Sequence, residues 1–127
     1  MIKQEFNVKH YWKVIVYHNV DYNLFYYIEK DFYNADCSKK VIDRIYNNMS
    51  RHKTKAVTIS NINLHISIVL INNHKSYYDY INSIVHEAEH IKQAMLKAYK
   101  VEDYGEPPAY TIGYLAMKMM MILKYLF

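Results

Sequence analysis

The stretch Ser83-Ile-Val-His-Glu-Ala-Glu-His-Ile91 lies inside the longest helical pattern of the chain. On an α-helix, residues four apart lie about 40° apart around the axis, so His86 and His90 can direct their imidazoles at one point. Ser76-Tyr-Tyr-Asp79 before it forms a capping box, and the pattern therefore predicts a helix from Tyr77 to about Lys100. An apolar stripe is expected on the face opposite the histidines, formed by Ile81, Ile84, Ala88, Ile91 and Met95.

Two imidazoles at this spacing suit a zinc ion that keeps one coordination site open. Glu87 follows the first histidine, where its carboxylate can take a proton from a zinc-bound water. The pattern His-Glu-x-x-His therefore predicts His86 and His90 as zinc ligands and Glu87 as general base in peptide hydrolysis. The alternative is a pair of surface histidines on a polar helix face.

Two histidines leave zinc under-coordinated, so the hypothesis requires a third protein ligand. Glu102, Asp103 and Glu106 are the downstream candidates. Glu106 is favoured because Gly105 permits a sharp turn and the following proline can start a helix that runs back past the metal. Glu102 is the second choice. The alternative is that Glu106 is an ordinary helix-start residue, because a carboxylate at that position interacts favourably with the helix dipole.

Length and composition narrow the class of protein. The chain has 127 residues, including 15 tyrosines but only two glycines and two prolines, which argues against disorder and against a turn-rich β-sandwich. A single domain over residues 1–127 is expected. Cys37 is the only cysteine, so no intramolecular disulfide can form and a reducing, cytoplasmic location is expected. The apolar run 110–127 contains Lys118 and Lys124, which favours a buried helix over a membrane span.

The other elements are predicted from periodicity and turn residues. The order of elements indicates an α+β fold, with a small antiparallel or mixed sheet packed on helices. An edge strand beside the metal would hold an extended peptide by backbone pairing. The predicted strands are 11–17, 56–60 and 64–71, the last two an antiparallel pair, and the predicted helices are 24–33, capped by Asp21, and one from Asp36 or Ser38 to Met49.

For the remaining polar residues the sequence gives less specific predictions. A donor to the developing oxyanion is required, and Tyr110, Tyr114 or His65 can supply it, although packing is the favoured role of each. The other histidines are expected to be ordinary surface or strand residues: His10, His18, His52 and His74. The net charge of +4 comes from scattered basic residues, so no nucleic-acid partner is expected, although the tyrosines leave weak single-strand binding as an alternative.

His86-Glu-x-x-His90, followed after fifteen intervening residues by Glu106, resembles the gluzincin zinc peptidases, and most of all the very small minigluzincin type. The segment from Ser60 through Glu106-x-x-Ala-Tyr-x-x-Gly-Tyr114 also resembles small metallopeptidases of gut-bacterial mobile elements and phages. The resemblance covers about residues 11–118. It implies a zincin-like fold, in which a C-terminal helix after the active-site helix carries the third ligand.

The resemblance also implies Zn²⁺ held by His86, His90 and Glu106, a peptide or protein substrate, and no membrane partner. Three positions depart from the gluzincin pattern: Ala88 replaces a bulky apolar residue, Glu89 is charged, and Tyr110 replaces an acidic residue. The departures at Ala88 and Glu89 support the alternative of a non-catalytic zincin-like module that keeps the metal site and binds a protein or peptide.

Overall fold

A four-stranded mixed sheet lies at the centre of the computed structural model, which describes residues 1–9 and 11–127. The expectation for His10 lies outside the described residues. In spatial order the strands are β1 (Ile2–Val8), β2 (Trp12–His18), β4 (Ile66–Ile71) and β3 (Ala56–Asn61). The β3–β4 pair is antiparallel, as the short asparagine-containing turn predicts, and β2 and β4 pair in parallel.

Strand β1 was not expected from the sequence, and it pairs antiparallel with β2. Its residues alternate between half-buried and exposed up to the buried Val8. The inward face carries the polar Gln4, whose amide donates to the backbone carbonyl of Lys118 at 2.6 Å. A polar residue on the inward face weakens the alternating apolar pattern that identifies a strand. Because the hydrogen-bond partners of Gln4 lie far away in the sequence, no local pattern accounts for it.

Helices cover both faces of the sheet. One face is packed by α1 (Phe25–Asn34) and α2 (Lys39–Ser50), and the other by α3 (Tyr77–Tyr99) and α4 (Glu106–Met120). A single 3₁₀ turn precedes α1, and the short α5 (Leu123–Leu126) follows α4. The prediction of an α+β fold with a small mixed sheet is confirmed.

Side-chain caps set the starts of two helices. The Ser38 hydroxyl accepts from the backbone N–H of Val41, so Ser38 rather than Asp36 caps α2. The Ser76 hydroxyl accepts from the N–H groups of Tyr78 and Asp79, and it begins α3 where the capping box predicts. No helix in the described part of the chain combines the length and the apolar character that crossing a membrane requires.

His18 is a fully buried polar residue on the α3 side of the sheet. Because the Gln4 Oε1 atom can only accept, the ring Nε2–H donates to it at 2.9 Å, and the Tyr80 hydroxyl then donates to Nδ1 at 2.8 Å. Burial lowers the pKa of His18 from 6.5 to about 4. The folded protein therefore holds this imidazole neutral.

This arrangement predicts acid-dependent destabilisation. As the pH falls from 6.5 to 4, the unfolded chain protonates His18 while the folded chain does not, so stability that is present above pH 6.5 is lost through this window. The expected loss is about 3 kcal/mol of unfolding free energy. Urea titrations at pH 7 and pH 4 should show a smaller loss for His18→Gln than for wild type. The exposed His52→Asn should lose as much as wild type, and an equal loss in all three proteins would contradict the prediction.

Candidate metal centre

The imidazoles of His86 and His90 converge on the exposed side of α3. Their rings stand at 76° to each other, and their Nε2 atoms lie 3.2 Å apart. Two nitrogens bound to one tetrahedral zinc, each at about 2.0–2.1 Å, lie about 3.3 Å apart. The spacing of the histidine pair therefore fits two zinc ligands on one helix.

Glu87 lies one residue further round the helix and turns toward the sheet. Its side chain is buried, and the Thr58 hydroxyl on β3 donates to its Oε1 atom at 2.9 Å. His86 and Glu87 both line a cleft of about 270 Å³, together with residues from the start of β3. The Thr58 contact occupies one oxygen of the carboxylate, whose second oxygen can exchange a proton at the cleft.

A second cleft of about 320 Å³ continues between the same two elements. It is lined by Thr58, Ser60 and Ile62 on the strand side and by His90 and Lys97 among the helix residues. The two clefts together are called here the β3–α3 groove, with walls formed by residues 54–62 and 82–97. Within residues 1–9 and 11–127, strand β3 pairs with β4 alone and is an edge strand, and its residues form one wall of this groove.

Glu106 is the first residue of α4 and is exposed. Gly105 precedes it with φ of +84°, a conformation that favours glycine, and a proline stands in the first turn of the helix, as expected. The Glu106 side chain lines a different groove, of about 590 Å³, against Val8 and Lys9. Within residues 1–9 and 11–127, no group of three or more His, Cys, Asp or Glu side chains is placed to hold a metal. The structure thus brings His86, Glu87 and His90 together and does not add Glu106 or Glu102.

The candidate oxyanion donors also lie apart from the histidine pair. Tyr110 and Tyr114 line the groove that contains Glu106, and the Tyr114 hydroxyl donates to the Asn7 carbonyl at 3.3 Å. His65 stacks on Trp12 with ring centroids 5.3 Å apart. None of these three side chains lines the β3–α3 groove.

The two departures within the His-Glu-x-x-His motif both have structural roles, one in the core and one in an ion pair. Ala88 is fully buried in the core between α3 and the sheet. Glu89 pairs with the buried Lys92 at 2.8 Å, and Lys92 also pairs with Asp103 at 2.8 Å, in the loop before α4. Burial alone would lower the pKa of Lys92, but the two carboxylates reverse this and raise it. Glu89 therefore helps to anchor the segment that leads to Glu106.

Four residues at or near the groove were not predicted from the sequence: Lys55, Thr58, Lys92 and Lys97. A period-two pattern places Ala56, Thr58 and Ser60 on one face of β3. Which face meets the histidine helix depends on the order of strands in the sheet, which no local pattern encodes. Lys92 has no signal in the sequence, because an isolated lysine on a helix is normally solvated.

Comparisons with protein-family models, with curated proteins and with solved structures found no match to this chain.

Proposed function

We propose that this protein is a zinc-dependent peptide hydrolase in which His86, His90 and Glu106 hold the metal and Glu87 is the general base. The observation that carries the proposal is the convergence of the two Nε2 atoms, 3.2 Å apart, next to the cleft that contains the Glu87 carboxylate. The two imidazoles supply two of the three protein ligands that a catalytic zinc site uses, and the neighbouring carboxylate can act as the general base.

When bound, zinc would supply a Lewis acid that polarises the scissile carbonyl and lowers the pKa of a water molecule. Glu87 would take the proton of that water and pass it to the departing amine. The hydrogen bond from Thr58 supports this role, because it fixes the orientation of the carboxylate while one oxygen stays at the cleft. His86 and His90 lie on an exposed helix face, where a substrate can reach them.

Strand β3 supports a peptide rather than a small molecule as substrate. In the described part of the chain its backbone has no strand partner on the side away from β4, and its residues form one wall of the groove that contains the histidines. An extended peptide can add to such an edge through main-chain hydrogen bonds, which places its backbone beside the metal ligands. Residues on β3 are half-buried, so the edge is partly sheltered from bulk water.

A second candidate is a peptide-binding module without hydrolytic activity. The free edge of β3 and the β3–α3 groove can hold a peptide without any metal. The module would retain the metal site formed around the two histidines. Binding without cleavage separates this candidate from the hydrolase.

Metal analysis tests the proposal directly. Protein purified without chelator is expected to contain one zinc ion per chain and to cleave members of a fluorogenic peptide library. Chelation should abolish cleavage, and added zinc should restore it. His86→Ala should lose both zinc and cleavage, whereas the exposed His52→Asn should keep both.

Native protein without zinc, combined with an unchanged metal content in His86→Ala, would contradict the metal centre. Bound zinc without cleavage of any peptide would instead support the binding module.

A further inference from the structure

The charge of the β3–α3 groove is concentrated at its two ends. Lys55 lines the cleft beside His86, and Lys97 lines the cleft beside His90. Both lysines are exposed, and neither takes part in an ion pair within the described part of the chain. Among the described residues the groove therefore presents two cations that no carboxylate neutralises at ion-pair distance.

Carboxylates do not balance these lysines. Among the described residues that line the two clefts, Glu87 is the only acidic one, and it is buried and hydrogen-bonded to Thr58. Glu89 on the same helix is paired with Lys92 and also accepts from Gln93. A ligand lying along the groove thus meets positive charge at each end, and between the two ends the described walls carry one carboxylate, the largely buried Glu87.

The spacing of the lysines can be compared with an extended peptide. Strand β3 and helix α3 run in the same direction along the groove, because residues 54–56 face 82–87 and residues 58–62 face 90–97. From Lys55 to the end of β3 the chain rises roughly 20 Å, at about 3.3 Å per residue. This length corresponds to about five or six residues of a paired peptide strand.

We propose that the groove selects acidic peptides, with carboxylates about five residues apart that contact Lys55 and Lys97 on either side of the histidine pair. This inference rests on the proposed function in that the peptide occupies the same groove and the same strand edge. Opposite charges at partly exposed sites determine selectivity and association rate more than total affinity. The preference should therefore weaken as ionic strength rises.

Binding measurements on a non-cleaving variant test the selectivity apart from catalysis. Two fluorescent peptides of equal length would be compared by anisotropy on Glu87→Gln, one with glutamates five residues apart and one with lysines at those positions. At low salt the acidic peptide is expected to bind about tenfold or more tightly than the basic one. In the Glu87→Gln background, charge reversal at both lysines, Lys55→Glu with Lys97→Glu, should make the basic peptide bind more tightly than the acidic one.

The matched control, also in the Glu87→Gln background, is Lys39→Glu with Lys40→Glu. It makes the same change in net charge at exposed positions of α2, on the opposite face of the sheet. This control should keep the preference for the acidic peptide. Equal binding of the two peptides, binding of neither, or an unchanged order after the groove reversal would overturn the inference.

Cleavage by wild-type protein distinguishes this inference from the proposed function. Zinc-dependent cleavage of acidic and basic peptides at the same rate would overturn the selectivity and leave the hydrolase intact. Selective binding of the acidic peptide without cleavage of any peptide would support the selectivity and count against the hydrolase.

Discussion

Replacement of Glu87 by glutamine is expected to lower kcat for peptide hydrolysis by about 10²–10⁴, the usual contribution of a general acid–base group. Glutamine has nearly the same shape, and its carbonyl oxygen can still accept the hydrogen bond that Thr58 donates at 2.9 Å. It cannot take a proton from water. Steady-state kinetics on zinc-loaded protein, with zinc content measured in the same samples, would give the change in kcat at constant metal occupancy.

The matched control is Glu29→Gln, which makes the same chemical change on α1, on the opposite face of the sheet. It should leave kcat and zinc content unchanged. Unaltered hydrolysis in Glu87→Gln would remove the general base from the mechanism. A loss of zinc in that variant would instead show that the carboxylate contributes to the metal centre.

Most helices and strands could be predicted from local sequence patterns, because the residues that determine each element lie within a few positions of it. Ser76 caps α3 by accepting from the N–H groups of Tyr78 and Asp79, two and three residues later, and the turn after β3 joins two neighbouring strands. Strand β1 escaped prediction because Gln4 breaks its apolar alternation. The partners that make this glutamine acceptable, His18 and the Lys118 carbonyl, are 14 and 114 residues away.

The same limit applies to the candidate site. The convergence of His86 and His90 follows from helical geometry alone, so four-residue spacing is enough to predict it. The environment of Glu87 is not local, because Thr58 lies 29 residues earlier, on an edge strand whose position depends on the parallel pairing of β2 and β4. The position of Glu106 depends on how α4 packs, which one glycine and two prolines do not determine.

Glu106 also provides the sharpest test of the ligand set. Glu106→Gln is expected to weaken zinc binding by more than about 100-fold, since loss of an outer partner of a metal ligand alone costs 10–100-fold. Glu102→Gln, four residues earlier in the preceding loop, should leave the zinc affinity unchanged. Competition with a chromophoric chelator would measure both dissociation constants. Weaker zinc binding in Glu102→Gln alone would assign the third ligand to Glu102. Unchanged zinc affinity in both variants would exclude both carboxylates as ligands.

Coordination by Glu106 requires a rearrangement that can be observed independently of affinity. The side chain lies in the groove beside Val8 and Lys9, whereas the histidines border the groove beside β3. Lys92 restrains the intervening loop through Asp103, so residues 104–106 are the part that must turn toward α3. Zinc should therefore increase the hydrogen-exchange protection of residues 104–110 in wild type and not in Glu106→Gln. Equal protection with and without zinc would mean that α4 does not take part in binding the metal.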